Sequence, residues 1–198
     1  MPSPSDLLER WLDAVIATPG LTALKDRAEA RHVLLADALA GLELVRGFDG
    51  PIVDVGSGGG TPGIPLAALL PDRLVTLLEA ERRKAEFLER WTPELPNLAV
   101  VWGRAESQAP ATFGVAVAKA LAPPPVAAEW CLPLVAVGGA VVLWVGPSAD
   151  LEAVASVAGK LAAAIEDSPP GFVVLRKTGP TPPGFPRRPG VARKRPLA

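Results

Sequence analysis

The sequence predicts an α/β fold in which a Rossmann-like, mostly parallel sheet carries helices on both faces, behind a short N-terminal helical cap. Three observations predict it. From residue 51 onward, short apolar runs alternate with amphipathic segments of helical period, and apolar strands separated by helices pair in parallel with both sheet faces covered. A glycine-rich loop, Asp54-Val55-Gly56-Ser57-Gly58-Gly59-Gly60, stands between the first such run and the first such helix. An acid, Glu79, ends the second run, 19 residues beyond Gly60.

Residues 5–17 read as a helix with Ser5 as N-cap. Leu7, Leu8, Trp11, Leu12 and Val15 share one face, and Thr18-Pro19-Gly20 stops it. A second helix spans about 27–44, with Val33, Leu34, Ala38 and Leu42 apolar, and the two make a cap over residues 1–46. The Rossmann-like domain follows over residues 47–178. Residues 51–55 are strand one, and 62–70 the next helix, with Pro62 in its first turn. Residues 74–79 are strand two, 81–91 a charged amphipathic helix, 98–102 strand three and 114–119 strand four. Residues 127–134 form a helix, 139–145 strand five, 150–165 an Ala-rich helix and 172–177 a last strand. The tail, 179–198, is basic and rich in Pro and Gly, and no regular structure is expected there.

A length of 198 residues suits one domain, and 49% hydrophobic residues suffice for its core. The longest apolar stretch, Leu132–Val145, is interrupted by Pro133 and Gly138-Gly139, too short and broken for a span of roughly 20 residues. No basic-then-apolar leader opens the chain, and the single Cys131 forms no internal disulfide, so a cytoplasmic protein is expected. One His and one Cys do not build a His/Cys metal site, and no Walker-type phosphate loop is present, so neither metal nor nucleotide hydrolysis is expected. Cys131, Trp91, Trp102, Trp130 and Trp144 fall at helix or strand positions and read as core rather than as reactive or base-stacking groups. Charge is uneven. Seven basic and no acidic residues lie from Arg176 to the end, against 13 basic and 21 acidic before it. An acidic body with a basic end suits either a polyanionic partner or a merely solubilising terminus.

Glycines in the loop let the chain turn sharply and let a ligand lie against the backbone, and the helix that follows offers free N–H groups and partial positive charge. Asp54 ahead of three alternate glycines resembles the first motif of S-adenosylmethionine methyltransferases more than the dinucleotide fingerprint Gly-x-Gly-x-x-Gly. This makes Asp54, Gly56, Ser57, Gly58 and Gly60 candidates for the cofactor site. Glu79 is placed to accept hydrogen bonds from ribose hydroxyls. After strand three, Gly103-Arg104-Ala105-Glu106 is placed to meet an adenine edge. Lys119, at the end of strand four, faces the same crevice, and is otherwise a snorkelling surface charge.

These residues and their neighbours resemble the GidB/RsmG family of bacterial small-subunit ribosomal RNA guanine-N7 methyltransferases. The resemblance rests on Asp54 through Leu66, above all Gly60-Thr61-Pro62-Gly63-Ile64-Pro65, and on Gly20-Leu21-Thr22-Ala23, Arg31-His32-Val33-Leu34, Thr76-Leu77-Leu78-Glu79, Gly103-Arg104-Ala105-Glu106, Lys119-Ala120-Leu121-Ala122 and the tail from Pro186 to Leu197. It covers nearly the whole chain. It implies a class I S-adenosylmethionine methyltransferase sheet, with cofactor contacts at Gly56, Thr61, Ala105, Glu106 and Lys119. It also implies 16S ribosomal RNA or the small ribosomal subunit as partner. The RNA would approach Arg31 and His32 at the mouth of the site, and Arg187, Arg188, Arg193, Lys194 and Arg195 would hold phosphates.

The sequence departs from the family pattern in five places, one of them a short N-terminal helical region. Lys119 stands where Arg is usual, and the two differ at a bidentate site. Leu35-Ala36 replaces an Asp-Ser pair, with Asp37 displaced. Val145-Gly146 replaces Lys-Gly. One strand rather than two is expected after strand five. Guanine N7 carries a lone pair and no proton, so the expected displacement requires no general base, and no catalytic side chain is singled out. Alternatives are a methyltransferase of another RNA or a small molecule, a cofactor-binding protein without turnover, and a nicotinamide oxidoreductase.

Overall fold

Successive strand residues point to opposite faces of a sheet, and here that alternation builds two cores. The computed structural model describes residues 3–198. The strands are β1 (Ile52–Val55), β2 (Val75–Glu79), β3 (Leu98–Trp102), β4 (Phe113–Lys119), β5 (Val135–Trp144), β6 (Ala163–Glu166) and β7 (Phe172–Lys177). They form one seven-stranded sheet in the order β3-β2-β1-β4-β5-β7-β6. β1 to β5 are parallel, and β7 runs antiparallel to both its neighbours. On one face, Ile52, Leu77, Val115 and Val142 pack with α1 (Pro4–Ala17), α5 (Gly63–Leu69) and α6 (Arg82–Glu89). On the other, Val53, Ala116, Val141 and Leu143 pack with α7 (Pro124–Cys131) and α8 (Leu151–Lys160), and Cys131 is fully buried among them. This is the Rossmann-like, mostly parallel sheet with helices on both faces that the sequence predicts, with one strand more than expected.

α1 buries the expected face, Leu7, Leu8, Trp11, Leu12 and Val15, but its N-cap is Ser3 rather than Ser5: the Ser3 hydroxyl accepts from the Asp6 N–H. The expected single helix over 27–44 is interrupted. α2 (Arg27–Ala30) runs into a π-helical turn (Arg31–Ala36), then α3 (Asp37–Ala40), and restarts after Gly41 as α4 (Leu42–Arg46). In the widened turn the Asp37 N–H reaches the His32 carbonyl, five residues back. Such bulges leave carbonyls without their α-helical partners. Those of Val33 and Leu34 are taken by Lys119 and Thr61. Gly41 has its own reason, because a Cβ there would collide with the Trp144 ring.

Two further expectations are corrected. The Ala-rich helix ends at Lys160 rather than 165, and Ala163–Glu166 pairs with β7 as an edge strand. Helix propensity is a weak prior against a ladder of tertiary hydrogen bonds. Two strands therefore follow β5, not one. The basic terminus is also structured. It folds back on the second core, where Phe185 and Leu197 pack, and contains a single helical turn, α9 (Val191–Lys194), with Ala192 only 1% exposed. Much of its charge is absorbed. Lys177 is buried with its ammonium on the Leu161 carbonyl, and burial pushes its pKa down. Arg176 pairs with Glu166.

Candidate functional site

The strand order reverses between β1 and β4, and in open α/β sheets ligands bind beyond the carboxyl ends of the strands at such a switch point. A cavity of about 680 Å³ lies there. Every strand end expected to contribute does so: Gly56, Ser57, Gly58 and Thr61 after β1, Glu79 from β2, Ala105 and Glu106 after β3, and Lys119 from β4. Asp54 and Gly60, the other two expected contacts, are not in the lining.

Asp54 works beneath the loop instead. Its Oδ2 accepts the Gly63 N–H at 3.0 Å, fastening the start of α5, and the Ser57 hydroxyl donates to the Asp54 carbonyl at 2.9 Å. Gly63 makes this approach possible, since a Cβ there would collide with both the Asp54 carboxylate and Leu77. Asp54 is 1% exposed and its Oδ1 has no partner among the described residues. Burial pushes its pKa up to about 7, the Gly63 N–H opposing and nearby Glu79 adding to the rise. Gly60 has φ +104°, a left-handed conformation that an L side chain would strain. From above, fully buried Trp11 of α1 donates its indole N–H to the Gly59 carbonyl at 2.8 Å. The sequence places Trp11 on the buried face of α1. That its polar edge buttresses the loop was not legible, because 48 residues separate the two.

Glu79 ties the loop to the next helix: Oε2 accepts the Gly58 N–H at 2.8 Å and Oε1 the Glu81 N–H at 2.7 Å. Each carboxylate oxygen has two acceptor sites, so both retain capacity for a ribose hydroxyl. Ala105 and Glu106 open a single 3₁₀ turn, Ala105–Ser107. One Glu106 oxygen, Oε1, accepts the N–H of Gly190 from the folded-back terminus at 3.0 Å.

Lys119, 12% exposed, donates to the Val33 carbonyl at 3.1 Å and pairs with Asp37 at 3.0 Å, while Thr61 donates to the Leu34 carbonyl at 2.7 Å. These two cavity residues hold the π-helical turn against the sheet, and Val33, Leu34 and Leu21–Leu24 complete that wall.

The candidate RNA residues separate. Arg31 and His32 sit exposed on the π-helical turn outside the lining, with Arg31 paired to Glu9 at 2.8 Å. Arg187 makes a bidentate ion pair, at 2.6 and 2.5 Å, with Glu129 of α7, which is 3% exposed. That contact holds the guanidinium's pKa above its ordinary value and makes Arg187 an internal anchor. Arg188, Lys194 and Arg195 remain exposed. Arg193 lines the cavity beside Arg104 and Glu106. Trp102, expected in the core, is 60% exposed because β3 is the sheet's edge. Arg82 stacks over its ring at 5.4 Å.

Solved structures share this architecture at low identity, which shows the fold alone. An S-adenosylmethionine-dependent O-methyltransferase from Thermotoga maritima superposes with TM-score 0.55 at 14% identity, covering 74% of this chain and 66% of that one. A precorrin-6y C5,15-methyltransferase from Geobacter metallireducens gives 0.53 at 15%, covering 82% and 92%. Sequence similarity goes further. A protein named ribosomal RNA small subunit methyltransferase G from Pelotomaculum thermopropionicum is 38% identical over 197 residues, covering 89% of this chain and 82% of its own length. One of the same name from Symbiobacterium thermophilum is 36% identical, covering 97% and 87%. The profile of the GidB family, described as rRNA small subunit methyltransferase G, matches residues 7–167. With that match spanning the glycine loop and the strands from β1 to β6, the chain belongs to the GidB family, the rRNA small subunit methyltransferases G.

Proposed function

We propose that this cavity holds S-adenosylmethionine and that the chain transfers the methyl group to N7 of a guanine in 16S ribosomal RNA. Family membership makes the chain an S-adenosylmethionine-dependent methyltransferase. The single observation that carries the assignment to this cavity is the convergence of a glycine loop, a ribose-type acid and a β3 turn on one crevice of suitable volume.

S-Adenosylmethionine supplies a methyl group made electrophilic by its sulfonium. The chain's task is to place and enclose the reactants. Gly56 and Gly58 let the backbone approach the methionine part, Glu79 accepts the ribose hydroxyls, and Ala105 with Glu106 meets the adenine edge. Lys119 and Thr61 fix the wall of Val33 and Leu34 that bounds the acceptor side. A guanine N7 would offer that methyl group a lone pair without a proton, so no residue of the chain would have to accept or deliver one. This agrees with a cavity whose acids, Glu79 and Glu106, are already engaged by backbone N–H groups. The exposed tail cations are suited to ribosomal phosphates, and the partner is the small subunit or its RNA in the bacterial cytoplasm. No helix among the described residues is long and apolar enough to cross a membrane.

The test uses small subunits lacking the modification, the purified chain and cofactor labelled in the methyl group. Label should enter 16S RNA at one guanine and render that site cleavable by reduction and aniline, the signature of N7 methylation. Label at another atom, in another RNA, or in none would reject the assignment.

A further inference from the structure

We infer that the C-terminal segment from Phe185 to Leu197 is a wall of the cofactor cavity, and that Arg193 contacts the adenosine part of the cofactor there. The inference rests on the reading of this cavity as the S-adenosylmethionine site.

The segment is built into the domain at five points. Arg187 grips Glu129, which is nearly inaccessible to water and needs the cation. The Gly190 N–H bonds to Glu106 Oε1 at 3.0 Å. Ala192 is buried. Phe185 and Leu197 pack on the second core, and Lys160 Nζ donates to the Leu197 carbonyl at 2.7 Å. Anchors on both sides leave Arg193 little choice of direction, and it lines the cavity with Arg104, Ala105, Glu106 and Trp130.

Chemistry favours the adenosine end. Adenine's ring nitrogens are acceptors, and a guanidinium is donor-only, planar and able to stack on a π face. The sulfonium and ammonium of the cofactor would repel a cation, and Arg193 lies at the β3 end of the cavity, with Ala105 and Glu106. Nearby, the Trp130 indole N–H is enclosed without a partner among the described residues, and Trp130 lines the same cavity.

Glu106 is then shared: one oxygen holds the tail and the other is free for the adenine amino group. Docking of the tail and binding of the cofactor must strengthen one another by the same factor.

The test measures binding of S-adenosylhomocysteine and of 5′-methylthioadenosine, which lacks the amino-acid end, to the full chain and to Arg193→Ala. Arg193 is exposed, so the variant should fold with an unchanged Tm. Both dissociation constants should rise about tenfold, the size of one charged hydrogen bond. Hydrogen exchange over residues 190–195 should slow when S-adenosylhomocysteine is added to the wild-type chain. Four outcomes would overturn the inference: unchanged affinity for both ligands, loss for S-adenosylhomocysteine alone, loss matched by a fall in the ligand-free Tm, or no protection of the tail. A variant that lost only RNA binding would make Arg193 a phosphate contact. Failure of the wild-type chain to bind either ligand would instead reject the cavity assignment under Proposed function.

Discussion

Lys119 and Asp37 form an ion pair at 3.0 Å that joins the end of β4, at the cavity wall, to the N-terminal cap. Both belong to departures from the family pattern: Lys119 stands where Arg is usual, and Asp37 lies beyond the site of a replaced Asp-Ser pair. The structure connects the two changes. Lys119 is 12% exposed and Asp37 46%, so the pair is screened on one side and worth about 1 kcal/mol. Lys119 also satisfies the Val33 carbonyl. Lys119→Met should therefore cost more stability than Asp37→Ala, by about 1 kcal/mol, in urea denaturation. It should also raise the cofactor dissociation constant, because the π-helical turn forms part of the cavity wall. Equal losses in the two variants would show that the Val33 contact contributes nothing.

The Arg187–Glu129 pair predicts an asymmetry. Glu129 is 3% exposed and Arg187 21%. Removing the cation strands a charge inside, whereas removing the acid leaves a guanidinium able to reach water. Arg187→Ala should destabilise by about 3 kcal/mol, and Glu129→Gln by about 1 kcal/mol. Adding Glu129→Gln to Arg187→Ala should restore part of the loss. A double variant no more stable than Arg187→Ala alone would refute the stranded-charge account.

The parts of the site legible in the sequence carry their geometry locally. The glycine loop needs left-handed backbone, Glu79 needs only to end a strand, and Ala105-Glu106 only to follow one. Their positions were readable from spacing. The π-helical turn was not, because Thr61 and Lys119 stabilise it from 27 and 86 residues away. β6 was hidden by Ala162-Ala163-Ala164, whose preference for helix yields to pairing with β7. The order of the tail is hidden for a related reason. Counting its cations reveals charge, but nothing in the count reveals that Glu129, on a helix 58 residues earlier, is buried and requires one of them. Trp102 looks like core by residue type, and only the strand order makes its strand an edge.

Asp54 predicts a pH dependence of stability. Its pKa is about 7 in the folded chain against an ordinary 3.8, raised chiefly by burial. Between those values the folded state binds the extra proton, so this group's contribution is fully present below about pH 4 and is lost as pH rises through about 7. Asp54→Asn keeps an acceptor for the Gly63 N–H and removes the titration. The urea-unfolding free energy of the wild type minus that of the variant should fall from pH 4 to about pH 7 by a few kcal/mol and level off above it. A difference independent of pH would exclude Asp54 as the titrating group.

The exposed tail cations predict a salt effect separable from cofactor binding. Arg188, Lys194 and Arg195 have no carboxylate within ion-pair distance among the described residues, and they do not line the cavity. If they hold ribosomal phosphates, each neutralised phosphate contributes roughly 0.7 to 0.9 to the slope of log affinity against log salt. Replacing all three with Ala should weaken binding to the small subunit and flatten that slope by roughly 2 to 3. Affinity for S-adenosylhomocysteine and the Tm should stay as they are, since the anchors at Arg187, Gly190 and Ala192 remain. Arg187→Ala should behave oppositely, lowering the Tm with little change in slope, because its charge is already spent on Glu129. If Arg187→Ala flattened the slope as the triple variant does, the tail would be exchanging its internal anchor for phosphate on the ribosome.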